Sequence, residues 1–237
     1  QVKGTVTLVS PDATPTTMIV GGSQVVEWTP FGPITLFKVE YKYDAGAYIE
    51  ITPVGGVAGT VSGANKTWTW TNIPNTISNS VTFRISDYNN ATVNDASTGA
   101  HIIKGVLDLM TPDDTPQTFS IGDSIPIQWN KTGTIGNLKI EYSAKGDFTD
   151  ALTIDPSFPS GADGLNSLTP VWTAPFKVAE TYKIKVSNVT PPVGTEVTDT
   201  STANFGVRPK INTISPPNGT TLWNVGTPQT ITWTANS

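Results

Sequence analysis

The 237-residue chain has no cysteine. That excludes disulfide staples, thiolate metal ligands and a cysteine nucleophile. It leaves an extracellular setting open, because a β-sandwich of about a hundred residues can bury enough surface without bridges. Charge is scarce as well, at 14% of residues, with a net charge of −5. Nucleic acid, which needs a basic patch to neutralise phosphates, is therefore not an expected partner. Histidine occurs once, at His101. No apolar run approaches the roughly 18 residues of a membrane span, and the chain does not open on a signal peptide. It starts at Gln1 rather than methionine, which reads as processing or as a piece of a longer polypeptide.

What is abundant is turn chemistry, with 21 glycines and 19 prolines, and a stretch written three times. Gly21 to Trp28, Gly122 to Trp129 and Gly226 to Trp233 each run from a glycine to a tryptophan through alternating apolar and polar positions. Val26 with Trp28, Ile127 with Trp129, and Ile231 with Trp233 fall on one side of a strand, since side chains alternate with period two. The tryptophans stand 101 and 104 residues apart. A period that long is a repeated domain, since solenoid repeats run roughly 20–50 residues. The expected division is residues 1–104, residues 105–208, and residues 209–237 as the opening part of a third, incomplete repeat.

Within the first repeat, Phe37, Val39, Tyr41 and Tyr43 alternate with Lys38, Glu40 and Lys42, giving a strand with one core face and one charged face. Val81, Phe83 and Ile85 alternate likewise, and Trp68 and Trp70 share a face. The second repeat answers with Leu138, Ile140 and Tyr142, with Tyr182, Ile184 and Val186, and with Trp172. Glu40 recurs as Glu141 and Arg84 as Lys185, so Glu40 is expected beside Arg84, and Glu141 beside Lys183 or Lys185, on an exposed charge ladder. Short strands, frequent turns and no helical pattern predict an all-β chain of tandem immunoglobulin-like Greek-key sandwiches, about seven strands each, without disulfides. Trp28, Trp129, Trp233, Trp70, Trp172, Tyr41 and Tyr142 are the expected core.

Three segments carry a resemblance: Gln229 to Thr234, Leu138 to Ser143, and Tyr182 to Asn188. They look like the tandem Ig-like or fibronectin-III-like repeats of very long bacterial surface proteins. They are also similar to the Ser/Thr-rich cell-wall domain of fungal surface proteins. The resemblance spans nearly the whole chain through core and turn positions, and matches no catalytic motif. It implies an extracellular stalk, spacer or adhesive module.

Candidate chemistry is thin. His101 has no Gly-x-Ser-x-Gly elbow to serve, so a strand-end position is the plainer reading. Glu40 and Glu141 read as ladder charges rather than as glycosidase carboxylates. Asp12, Asp113, Asp114, Asp87, Asp95 and Asp199, with Asn89, gather near turns and are candidates for calcium, which takes about 6–8 oxygen ligands. Asp and Asn are also ordinary turn formers. Seven tryptophans invite a sugar-stacking platform, with Trp68 and Trp223 as the ones lacking a tryptophan counterpart. Asn65, Asn90, Asn130, Asn188 and Asn218 open Asn-x-Ser/Thr sequons, which would make a glycoprotein.

The first expectation is therefore a non-catalytic structural or adhesive segment of a cell-surface protein, forming a stiff stalk or filament. Its partners would be other copies or downstream repeats. The alternative is a carbohydrate-binding accessory module, with cell-wall polysaccharide as partner. No cofactor is expected apart from calcium. The third repeat must be completed by something the sequence lacks, since two or three strands cannot bury a core alone. Later residues of a longer polypeptide are the first expectation, and strands from another subunit the second.

Overall fold

A computed structural model describes residues 3–58, 63–216, 219 and 222–236. By packing, the chain divides into two compact units: residues 1–106 with 131–136 and 188–197, and residues 107–130 with 137–187 and 198–237. Strands account for all the regular structure of the described residues, and no helix is long and apolar enough to cross a membrane.

The first unit contains β1 (Thr5–Ser10), β2 (Thr17–Ile19), β3 (Ser23–Phe31), β4 (Leu36–Tyr43), β5 (Ile49–Glu50), β6 (Val57–Ala58), β7 (Lys66–Thr71), β8 (Ser78–Asp87), β9 (Asn90–Ala96) and β10 (His101–Lys104). One sheet runs β1-β3-β7 and the other β2-β10-β8-β4-β5, with β6 on β4 and β9 on β8. The opening segment thus serves both sheets. β1 pairs antiparallel with the tryptophan strand β3, and after Pro11 the chain crosses so that β2 lies parallel to the closing strand β10. That crossing, with non-consecutive neighbours in both sheets, is an immunoglobulin-like Greek key.

Alternation explains which face turns inward. Phe37, Val39 and Tyr41 of β4 and Val81, Phe83 and Ile85 of β8 are buried, as are Val26 and Trp28 from the facing sheet. Trp28 packs on Phe37 with ring centroids 5.5 Å apart, and Trp70 sits 4.4 Å from Tyr41 and 5.9 Å from Phe83. On the outer face Glu40 pairs in register with Arg84, at 2.8 Å between Oε2 and the guanidinium.

The second unit repeats this order with β11 (Val106–Thr111), β12 (Gln117–Ser120), β13 (Ser124–Ile125), β14 (Gln128–Thr132), β15 (Leu138–Ser143), β16 (Leu152–Phe158), β17 (Gly164–Ser167), β18 (Trp172–Thr173), β19 (Ala179–Asn188), β20 (Thr198–Thr200) and β21 (Phe205–Arg208). Its main sheet runs β12-β21-β19-β15-β16, with β20 on β19. The tryptophan strand, continuous as β3 in the first unit, breaks into β13 and β14 here. Pro126 lies at the break and has no N–H to give to a ladder. Trp129 and Tyr182 are fully buried, while Tyr142 and Trp172 are half-buried, their tilted rings 4.8 Å apart. The Trp129 indole N–H donates to the Ser160 carbonyl at 3.0 Å.

Two expectations are corrected. Glu40 and Glu141 occupy the outer face but are not exposed: their side chains are only 6% and 10% accessible. Lys38 and Arg84 pair with the first and Lys139 and Lys185 with the second. Burial pushes the Glu141 carboxyl up, but its two lysines outweigh that and hold it below the usual range. Trp233, expected in the core, is 63% exposed. It lies on β23 (Thr232–Asn236), which pairs with β22 (Lys210–Ser215), and among the described residues no second sheet faces it.

Trp129→Ala is expected to cost about 3–5 kcal/mol, the range for emptying a large buried aromatic. Trp233→Ala should change stability by less than about 0.5 kcal/mol, as for surface positions. Denaturant unfolding of the full chain checks both; equal losses would contradict the different surroundings of the two rings.

Candidate functional site

His101, the one imidazole, begins β10 and is completely buried in the first unit, opposite Val81 and 5.6 Å from the Phe83 ring. The expectation of a strand-end residue holds for its place in the chain but not for its burial. Its Nδ1 accepts the Thr16 backbone N–H at 3.2 Å, and its Nε2 has no hydrogen-bond partner. A catalytic base of the serine-triad kind needs Nδ1–H donating to a carboxylate. Here Nδ1 is an acceptor, and the ring acts as packing. At the matching register the second unit has Phe205, which pairs with Tyr182 as His101 pairs with Val81.

The candidate calcium carboxylates have structural employment. Asp95 Oδ2 accepts the Leu8 N–H at 2.8 Å, and Asp199 Oδ2 accepts the Leu109 N–H at 2.6 Å. Two residues on, Ser97 Oγ accepts the Phe83 N–H and Ser201 Oγ the Ile184 N–H, both at 3.0 Å. Asp12 Oδ1 then accepts the Thr98 N–H at 2.8 Å, and Asp113 Oδ1 the Thr202 N–H at 2.6 Å. The same latch is built in both units, tying the turn after the first strand to the segment before the last. Asp87 caps its own turn through the Asn89 N–H at 2.9 Å. Asp114 sits against Asp113, whose negative charge pushes its carboxyl above the usual range. Among the described residues no three His, Cys, Asp or Glu side chains are grouped to hold a metal ion.

Sequence reasoning found these aspartates but missed what they hold. The signal was present: Asp95-Ala96-Ser97-Thr98 returns as Asp199-Thr200-Ser201-Thr202, and Pro11-Asp12 as Pro112-Asp113. A side chain that caps a backbone N–H must recur at fixed distance from that backbone, as these do.

Five of the seven tryptophans are wholly or partly buried. Trp28, Trp129 and Trp70 are buried, and Trp68 and Trp172 are half-buried. Each unit has a shallow groove on its flank, about 320 Å³ beside Tyr41, Ile49, Trp68 and Trp70 in the first, and about 480 Å³ beside Ile154, Leu168, Val171 and Trp172 in the second. Phe31, Phe176, Trp223 and Trp233 are exposed. Of the sequons, Asn65 is exposed, with its amide oxygen accepting from Thr29 Oγ1 at 2.6 Å. Asn90 and Asn188 are half-buried and hold the backbone N–H groups of Thr92 and Val197. Asn130 is half-buried against Met110, and Asn218 lies outside the described residues.

Neither a protein-family model nor a curated protein matches the sequence.

Two predictions come from these groups. Burial lowers the His101 pKa below 6.5, with the Asp12 charge pulling weakly the other way. The unfolded chain then binds more protons than the folded one, so stability is complete above about 6.5 and falls as pH drops toward the lowered value. Thermal melts between about pH 7 and pH 5 should show this loss in the native chain and a smaller one in His101→Phe. Identical slopes would mean His101 titrates normally. Asp199→Ala should cost about 1–3 kcal/mol by orphaning the Leu109 N–H, while Asp114→Ala stays within about 0.5 kcal/mol; equal effects in denaturant unfolding would remove the latch.

Among solved structures the chain is similar to the polymeric Ig receptor ectodomain of a teleost fish, at 11% identity over 86% of this chain and 98% of that one, TM-score 0.34. It is also similar to a D1–D4 ectodomain fragment of ICAM-5, at 13% identity over 90% and 55%, TM-score 0.37. A third is the fibronectin(III)-like modules of Clostridium thermocellum CbhA, at 14% identity over 86% and 93%, TM-score 0.24. The strand order, rather than these scores, carries the conclusion that both units are Ig-like β-sandwiches.

Proposed function

We propose that the chain is a non-catalytic structural or adhesive segment of an extracellular surface protein, in which tandem sandwiches form a stiff stalk. The observation that carries this reading is the length of the joints. Only Gly105 separates β10 from β11, and only Pro209 separates β21 from β22. A tether that short has few conformations to explore, and proline removes more of them. The polar side chains support the same reading, since His101, Asp95 and Asp199 hold backbone rather than converge on an open site. Further repeats of the same kind are the natural partners, and a cell-surface location suits a disulfide-free, weakly acidic repeat.

Because the chain has no cysteine, a pair of introduced thiols can carry dyes, one on each unit. Single-molecule energy transfer should give a narrow distance distribution in the native chain. Inserting about ten Gly/Ser residues after Lys104 should broaden it. A native distribution as broad as that of the insertion variant would contradict the stalk reading.

A further inference from the structure

The first compact unit is more than the first repeat. It takes in residues 131–136 and 188–197, which the repeat pattern assigns to the second. The former turn the chain from β14 into β15, and the latter run from the end of β19 to the start of β20. Both come very close to the first repeat. A Cβ at Gly133 would fall 3.2 Å from Val20 Cγ2, and one at Gly194 only 2.8 Å from Ile102 Cδ1. Both glycines have positive φ, +89° and +87°, a conformation that glycine adopts without strain.

Asn75 makes this pairing specific. Its Oδ1 accepts the Thr134 N–H at 2.8 Å, and its Nδ2 donates to Thr134 Oγ1, also at 2.8 Å. A primary amide carries a donor and an acceptor side by side, and here both are used on one residue. Asn79 adds a second tie, its Nδ2 donating to the Val193 carbonyl at 3.1 Å.

The bland account of Asn75 is that asparagine forms turns. The second unit shows that this turn does not need it. Ala174 exchanges hydrogen bonds with Gly122 and Asp123 as Ile73 does with Gly21 and Gly22. Two residues on, the second unit has Phe176 where the first has Asn75. The other side of the contact gives the same answer. Thr134 stands where the first repeat has Pro33, each after a glycine of positive φ, and proline has no N–H to donate. Neither member of the pair is dictated by the fold of its own repeat.

We infer that Asn75 and Thr134 form a clasp through which the two repeats stabilise each other. The surface around Asn75, Asn79 and Ile102 is an interaction site, and its partner is the pair of turns 131–136 and 188–197. This goes beyond a short joint, which limits motion but leaves each repeat to fold on its own. With the clasp, neither repeat reaches full stability unless the other is folded.

The test is amide exchange along the full chain in four proteins: native, Asn75→Ala, Thr134→Pro and the double variant. Thr134→Pro removes the N–H and the hydroxyl together, and Pro33 shows that such a turn accepts proline. A shared stabilisation is reciprocal. Either substitution should therefore speed exchange in β4 and β8, and in β15 and β19, by one common factor of about fivefold, the size of a net hydrogen bond. The double variant should be no faster than the singles, because the bond is already gone. Acceleration confined to the repeat that carries the substitution overturns the inference, as does a double variant in which the two factors multiply. If Thr134→Pro removes all protection from β15 and β19, Thr134→Ala takes its place. It should speed exchange in the native background and not in Asn75→Ala, and any other result overturns the clasp. No such failure changes the length of the joints at Gly105 and Pro209, so the stalk reading stands or falls on its own distance measurement.

Discussion

Everything in this protein depends on covering one tryptophan per repeat. Trp28 and Trp129 project from the middle of one sheet and are wholly removed from water by rings on the other. A buried ring of that size offsets several kcal/mol of chain entropy, a large share of the roughly 5–15 kcal/mol by which a domain is stable. With no disulfide between the sheets, that contact and the aromatic chain continuing through Tyr41, Trp70 and Phe83 do the joining. At Trp233, where among the described residues no sheet lies opposite, the same strand pattern forms a two-stranded ribbon with Ile231 and Trp233 exposed.

The second constraint is polar. A sandwich whose first strand crosses between sheets leaves backbone N–H groups without ladder partners, and these must be satisfied. Asp95 and Asp199 supply the acceptor to the first strand, Ser97 and Ser201 to the strand beside the closing one, and Asp12 and Asp113 to the turn that follows. These bonds fasten the beginning of each unit to its end. They also account for the recurrence of Asp12, Asp95 and Ser97 as Asp113, Asp199 and Ser201.

How much of this could be read beforehand follows from the range of each interaction. The inward faces of β4, β8, β15 and β19 were legible because alternation is local, and the Glu40–Arg84 register followed from it. β9 was not legible: Asn90 to Ala96 is polar, with Val93 as its one large apolar residue, and it forms a strand only because β8 is beside it. The strand-end place of His101 was legible, but its burial was not, because burial of a polar ring is set by its neighbours. Trp233 was misread for the same reason. Its strand pattern matches that of Trp28, and the difference is that no second sheet faces it among the described residues.

Hydrogen exchange, resolved along the backbone, reaches the central claim most directly. If an opposing sheet is what stabilises each tryptophan strand, the amides of β3 and β14 open only with their whole unit and exchange slowest in the chain. Those of β23, with the same pattern and no opposing sheet, should exchange at least about a thousandfold faster. Protection of β23 equal to that of β3 and β14 would contradict the account, because the local strand pattern would then suffice without the facing sheet.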